Sequence, residues 1–289
     1  MTANDLELLA LEHPRGSRVS TAELLDEVDE YFGLGASVTA GATVVDVGAN
    51  VGAFALRIAE RCRGDVRLLC FEPSPETHRA LRVNLATNRL LRQTRHSLYA
   101  VGLSSAASSG EELTFYDFRR FPTNSSFDLA GKRREFEIFF EDRGHRIRNA
   151  VEGALPGALG RCIGMPLEWM VSLLPKGALG WWASKQIMGL EEVKVRVETL
   201  DAVVRRERIE RIDLLKIDVE GHELEVLRGL GPASWPTVQQ VVLETHNRDG
   251  RQVAIEALLR TNGLTTITTT IQKTVDNGLE SVMLLATRS

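Results

Sequence analysis

A basic excess, long apolar runs and paired cysteines are all missing from this chain of 289 residues. Lys plus Arg number 35 against 39 Asp plus Glu, a net charge of -4. A surface that neutralises phosphate needs the opposite balance, which argues against nucleic acid as the main partner. There is no stretch of about 18 uncharged apolar residues, so no transmembrane segment is expected. The opening residues MTANDLELLA carry acids and lack the apolar core of a secretory signal. Cysteines number three, Cys62, Cys70 and Cys162, with no C-x-x-C pair. They read as reduced, buried thiols of a cytoplasmic protein rather than as redox or metal groups. Internal repeats and low-complexity segments are absent, and the length suits one elaborated domain.

What is present centres on TVVDVGANVGAF, Thr43 to Phe54. β-Branched residues run into Asp46, a small-residue turn follows, and apolar residues then recur at helical spacing. The pattern predicts a buried parallel strand, a tight turn and a helix start. Gly48 and Gly52 allow positive φ and close approach of a ligand to the backbone. Positions 50 and 53 are Asn and Ala, so the spacing is G-x-N-x-G and lacks the G-x-G-x-x-G of pyrophosphate readers. The next strand, VRLLCFE, ends at Glu72, an acid placed to take both hydroxyls of a ribose. Pro73 follows, with Ser74 as helix N-cap and Pro75 at the first helical position. Asp46 adds negative charge that repels phosphate and suits a cationic aminoacyl group. A nucleoside carrying an amino acid and a positive charge is S-adenosylmethionine. A glycine-rich first turn alone is common among α/β domains; FEPSP at the correct distance makes the reading specific.

VVDVGANVGAF, CFEPSPETHRALRVNL, LLKIDVEGHELEVLRG and VVLE, in that order, resemble the FkbM-type S-adenosylmethionine-dependent methyltransferases. The resemblance covers about residues 43 to 118 and 193 to 245, and KIDVEG is its most specific block. It implies a Rossmann-like class I methyltransferase fold, a doubly wound α/β sheet of seven strands, mostly parallel with an antiparallel closing hairpin. It also places Asp218 next to the transferred methyl, facing the acceptor. The sequence pattern alone gives only α/β.

Residues 1–40 read as an N-terminal helical cap, with a capping box at Ser20 to Glu23 and an apolar side of Leu24, Leu25, Val28, Tyr31 and Phe32. The methyltransferase domain then spans 41–289. Strand and helix alternate regularly from residue 43, with a third strand expected near Ser97 to Leu103. Val101 and Gly102 are candidates for backbone contact with adenine. LTFYDF and VKVRVET read as half-exposed strands. Between them, 128–191 interrupts the rhythm as a largely helical insertion. It holds Trp169, Trp181 and Trp182, three of the four tryptophans. A lid over the substrate, a homodimer contact or an interfacial surface would each suit it, with Trp181 and Trp182 as substrate candidates.

The remaining chemistry lies at later strand ends. Asp218 is expected as general base or acceptor orienter and as a neighbour of the cofactor. His222, held neutral by the helix-start dipole, is the second candidate base or a plain helix-start residue. Glu244 would orient the acceptor, with His246 on the same rim. Asn124 in FPTNSS would bond the acceptor or shape a turn. Asp218, Glu244 and His246 lack metal-ligand spacing, and no metal is expected. These residues predict O-methylation of a hydroxyl on a small-molecule acceptor, a sugar or natural-product intermediate. Carboxylate or amine methylation, or a scaffold that binds the cofactor without transfer, are the alternatives.

Overall fold

A computed structural model describes residues 10–135, 189–246, 249–275 and 279–288. Its centre is a seven-stranded sheet of order β3-β2-β1-β7-β8-β10-β9. The strands are β1 (Ala42–Val47), β2 (Val66–Phe71), β3 (Arg95–Tyr99), β7 (Leu214–Ile217), β8 (Gln240–His246), β9 (Thr266–Val275) and β10 (Leu279–Thr287). The first five run parallel, and β10 inserts antiparallel between β8 and β9. This is the expected doubly wound sheet with its antiparallel closing hairpin.

Alternation along the central strands buries both faces. Val44, Leu68, Cys70 and Leu214 join one core with helices α1 (Thr21–Gly33), α2 (Ala53–Arg61) and α3 (Pro75–Thr87). Val45, Leu69, Leu215 and Ile217 join the other, against α4 (Leu200–Arg206), α5 (Glu223–Arg228) and α6 (Arg251–Thr261). Each leucine so buried contributes about 1.5–3 kcal/mol. Cys62 and Cys70 are buried and unpaired; Cys162, Trp169, Trp181 and Trp182 lie outside the described residues. Among the described residues no helix is long and apolar enough to cross a membrane.

The third core strand is shorter than expected, stopping at Tyr99. Gly102–Leu103 is instead β4, pairing parallel with β6 (Leu190–Glu198), which also pairs antiparallel with β5 (Glu112–Phe118). Position 102 is suited to glycine, since a Cβ there would stand 2.5 Å from the Phe127 ring. β6 begins at Leu190 and so takes in the last residues of the expected insertion. The insertion's first residues, 129–135, are helical, and most of it lies outside the described residues.

The sheet order reverses between β1 and β7, so the carboxyl ends of β1, β2 and β7 open onto one crevice. Helix α1 closes that crevice from the side. Its capping box is formed as expected, with Ser20 accepting from the Glu23 N–H and the Glu23 carboxylate accepting from the Ser20 N–H. Leu24, Glu27, Val28 and Tyr31 of this helix line the cleft.

Candidate cofactor and methyl-transfer site

The turn after β1 has the geometry its residue types predict. Gly48, Asn50 and Gly52 all take positive φ, at 77°, 48° and 96°. Asparagine is among the few non-glycine residues that tolerate this region. Gly48 is irreplaceable on spatial grounds as well, because a Cβ would stand 1.9 Å from the Asp218 carbonyl oxygen. Gly48, Ala49 and Asn50 therefore present bare backbone to a cleft of about 910 Å³, its solvent opening included. Gly52 caps α2 from behind, facing Leu81, and does not line the cleft.

Glu72 meets this turn from the end of β2. Its Oε2 accepts the Asn50 N–H at 2.9 Å and its Oε1 the Ser74 N–H at 2.8 Å. Burial pushes its carboxyl up to about 8, against the pull of those two N–H groups. Each oxygen keeps a second lone pair for a hydroxyl donor from the cleft. Ser74 and Pro75 open α3 as expected, and the Ser74 hydroxyl also donates to buried Asp117 at 3.0 Å. Pro73, Val101 and Gly102 line the same end of the cleft with Phe71.

Asp46 behaves otherwise than expected. It is 0 % exposed and lies behind the cleft wall, opposite Lys216 in the β1–β7 register. Lys216 pairs with Asp46 at 3.3 Å and with Asp218 at 3.4 Å, and donates to the Gly48 carbonyl at 2.8 Å. Burial opposes the ammonium charge, but Asp46 and then Asp218 outweigh it and hold the group above its ordinary value. Asp46 thus fixes Lys216 rather than touching a ligand. Lys216 stands two residues before Asp218, so strand alternation put it on the same face; the sequence reading passed over that signal.

Asp218 lines the cleft with a quarter of its side chain exposed. His222 lines it too, its Nε2 3.1 Å from the Ser104 hydroxyl and its ring 5.2 Å from that of Phe127. Burial lowers the pKa of His222, which keeps the imidazole neutral. That neutrality was expected from a helix dipole, whereas burial is the leading cause. Glu244 stands just outside, in a recess of about 160 Å³ shared with Asp218, Glu220 and His246. Burial, then the charges of Asp218 and Glu220, push its carboxyl up to about 8 while Ser281 donates to it. Asn124 is one position off: Thr123 and Ser125 line the cleft, while Asn124 sits in a 3-10 turn and bonds weakly to Thr123.

His246 is also displaced from its expected role. Its Nε2 lies 3.1 Å from Glu135 and 3.4 Å from Glu220, while the Lys132 ammonium bonds the same two carboxylates. Burial opposes the imidazole's charge, yet hydrogen bonds to Glu135 and Glu220 push it up to about 10. Glu135, Glu220 and His246 bring ligand atoms within 4.8 Å of one another. The positive charge there comes from Lys132 and His246 themselves. This cluster ties residues 129–135 to the turn between Asp218 and His222, where Ser126 also donates to the Glu220 carbonyl. Nothing in the chain pattern joined Lys132, Glu220 and His246, which are far apart in sequence.

A model of the methyltransferase FkbM domain matches residues 46–263. The chain is 31% identical over 228 residues to methyltransferase sdnD of Sordaria araneosa, covering 76% of this chain and 72% of that protein. It is 29% identical over 241 residues to 31-O-demethyl-FK506 methyltransferase FkbM of Streptomyces tacrolimicus, covering 82% and 78%. It is 32% identical over 275 residues to the AMB antimetabolite synthetase AmbE of Pseudomonas aeruginosa, covering 90% of this chain but 12% of that one. With the match running from the first strand tip through α6 and across the glycine turn, Glu72 and Asp218, the chain belongs to the FkbM methyltransferase family and is an S-adenosylmethionine-dependent methyltransferase.

Proposed function

We propose that the protein methylates a hydroxyl of a small molecule, a natural-product or sugar intermediate. The observation that carries this reading is Asp218, a half-buried carboxylate lining the cleft one strand over from the glycine turn. Bound there, S-adenosylmethionine supplies a methyl group open to in-line attack. Glu72 would hold the ribose hydroxyls, the backbone of Gly48 and Asn50 the aminoacyl part, and Pro73, Val101 and Gly102 the adenine. The cradle suits that molecule: the Glu72 carboxylate is buried and held against the turn by the Asn50 N–H, and Gly48 lets the turn pack directly on the Asp218 backbone.

An alcohol is a weak nucleophile at neutral pH, so its proton must leave to a base. Asp218, which lines the cleft, would take it. Lys216, shared with Asp46, fixes the carboxylate's position. Neutral His222 would accept or donate a hydrogen bond at the acceptor, and Glu244 would orient it from the adjoining recess. The name of the Streptomyces tacrolimicus relative specifies an O-methyl position, which supports oxygen as acceptor atom. The Asp218 carboxylate at this end disfavours a carboxylate acceptor by like-charge repulsion and leaves an amine as the second reading. The unpaired thiols of Cys62 and Cys70 fit a reducing, cytoplasmic setting. A homodimer through the insertion would rest on residues outside those described.

The test is release of S-adenosylhomocysteine from S-adenosylmethionine with matched hydroxyl, amine and carboxylate acceptors. Turnover with the hydroxyl member supports the reading. Turnover confined to the amine or the carboxylate refutes it.

A further inference from the structure

The side of α1 that closes the cleft carries one residue its packing does not call for. Leu24, Val28 and Tyr31 on that side are buried, as their helical spacing demands. Of the five acids of α1, Glu23, Asp26, Asp29 and Glu30 are exposed. Glu27 alone shares the apolar side, half-buried and lining the cleft. A carboxylate set among apolar side chains at the wall of a ligand cleft is a recognition group for positive charge. We propose that this charge belongs to the acceptor: the molecule methylated is an amino alcohol, its ammonium held by Glu27 while its hydroxyl lies at Asp218. The inference rests on the hydroxyl reading above and deepens it.

Among the described residues that line the cleft, the acids are Glu27, Glu72, Asp218 and Glu220, and Lys216 is the one Lys or Arg. Lys216 is buried and bound to Asp46, Asp218 and the Gly48 carbonyl, so its charge serves the β1 and β7 tips. Lys132 and His246 face Glu220. The order of residues along α1 then sets the separation of the two recognised groups. Burial first, then the charges of Asp218, Glu244 and Glu27 in that order, hold the Tyr31 phenol well above its ordinary range. Asp218 therefore bears most on Tyr31, and Glu27 precedes Tyr31 by one helical turn, about 6 Å. A short carbon chain spans that separation, with Leu24 and Val28 on the cleft wall beside it. The amine at this place is not the atom methylated: opposite charge favours its protonated form, and an ammonium has no lone pair for attack. The O–H proton passes to Asp218, the oxygen takes the methyl carbon, and the C–S electron pair stays on sulfur.

The probes are straight-chain amino alcohols of about two to six carbons, lengths that bracket one helical turn, and the diols of the same lengths. Calorimetry on the full chain loaded with S-adenosylhomocysteine should show at least one amino alcohol binding about tenfold or more tighter than its diol, the scale of a charge-assisted bond. Glu27→Gln keeps the shape and removes the charge, so the preference should shrink to about twofold or less while the thermal midpoint holds; Glu27→Asp should retain part of it. With S-adenosylmethionine, the preferred amino alcohol should carry the new methyl on oxygen, read by fragmentation in mass spectrometry. No preference for the ammonium member at any length, binding of neither member included, overturns the inference, as does a preference that Glu27→Gln leaves intact. A loss of S-adenosylmethionine affinity in Glu27→Gln as large as the loss of preference assigns the acid to the sulfonium and overturns it too. O-Methylation of the diols without that preference sinks this inference alone, whereas transfer to nitrogen sinks the hydroxyl reading with it.

Discussion

Glu72 offers a quantitative test, because its ionisation and ligand binding must be linked. Burial holds its carboxyl at about 8, so near neutral pH most molecules carry it protonated. Ribose hydroxyls donate best to the carboxylate, in charge-assisted bonds worth about 1.5–3 kcal/mol each. Affinity for S-adenosylhomocysteine should then rise by nearly tenfold per pH unit up to about 8 and level off above it. Binding near neutrality should release a proton, visible as a dependence of calorimetric heat on buffer ionisation enthalpy. Glu72→Gln separates charge from shape. The amide must set its NH2 against either the Asn50 or the Ser74 N–H, since each carboxylate oxygen now accepts one of them. One buried N–H is orphaned, at a cost of about 1–3 kcal/mol in urea unfolding. Loss of both charge-assisted bonds should weaken the plateau affinity by about 100-fold or more. The variant's affinity should not follow pH between 6 and 8, which also controls for titration of the ligand itself. A flat wild-type profile over that range, or a Glu72→Gln affinity within about threefold of wild type, would refute the placement of the ribose.

Asp218→Asn should leave S-adenosylhomocysteine binding within a few-fold yet slow transfer by about 100-fold or more, because it removes the base; single-turnover rates check this. Lys216→Met strands buried Asp46 without its counter-charge, and chemical unfolding should show a loss of about 3–5 kcal/mol. Adding Asp46→Leu should recover much of it, since an apolar pair replaces the buried ion pair. Gly48→Ala forces a side chain onto the Asp218 carbonyl, so cofactor binding should vanish in calorimetry even if the chain folds. For His246 the native pKa is raised from 6.5 to about 10, so the folded protein binds the proton more tightly. Its contribution is full below pH 6.5 and fades as pH rises through about 10. Thermal midpoints of wild type should fall relative to His246→Asn across that window.

How far the sequence disclosed this site depends on the range of the interactions involved. The glycine turn, Glu72 and the Ser74-Pro75 helix start are local, so residue type and spacing announce them. The place of Asp218 on the cleft was legible from its position at the end of a buried strand and from the resemblance of KIDVEG. The role of Asp46 was misjudged because its partner comes from β7, 170 positions later, and only sheet register sets them side by side. Tyr31 read as part of the apolar side of α1 because its neighbours set the helical period, and only the packing of α1 over the cleft makes it a lining residue. Lys132 stands in a run of interleaved charges with Arg133, Arg134 and Glu135, whose pattern alone suggests a solvated face. The burial of Lys132 is made by packing of 129–135 on the turn after β7, which no local pattern contains.

These placements together account for an acid-rich rim that does not fly apart. Five acids, Asp46, Glu72, Asp218, Glu220 and Glu244, cluster at adjacent strand ends. Lys216 serves Asp46 and Asp218, while Lys132 and protonated His246 serve Glu220, whose carboxyl is drawn down to about 2 against its own burial. Among the described residues Glu72 and Glu244 have no direct ion pair of this kind, and burial pushes them up to about 8. At neutral pH the empty cleft therefore holds less negative charge than its composition suggests. A ligand bearing a positive sulfonium and hydroxyl donors favours the ionised form of both acids, so the cleft gains charge as it binds. The loss of that positive charge on methyl transfer weakens the same linkage. Product affinity then falls in the step that makes the product, with no movement of the backbone required.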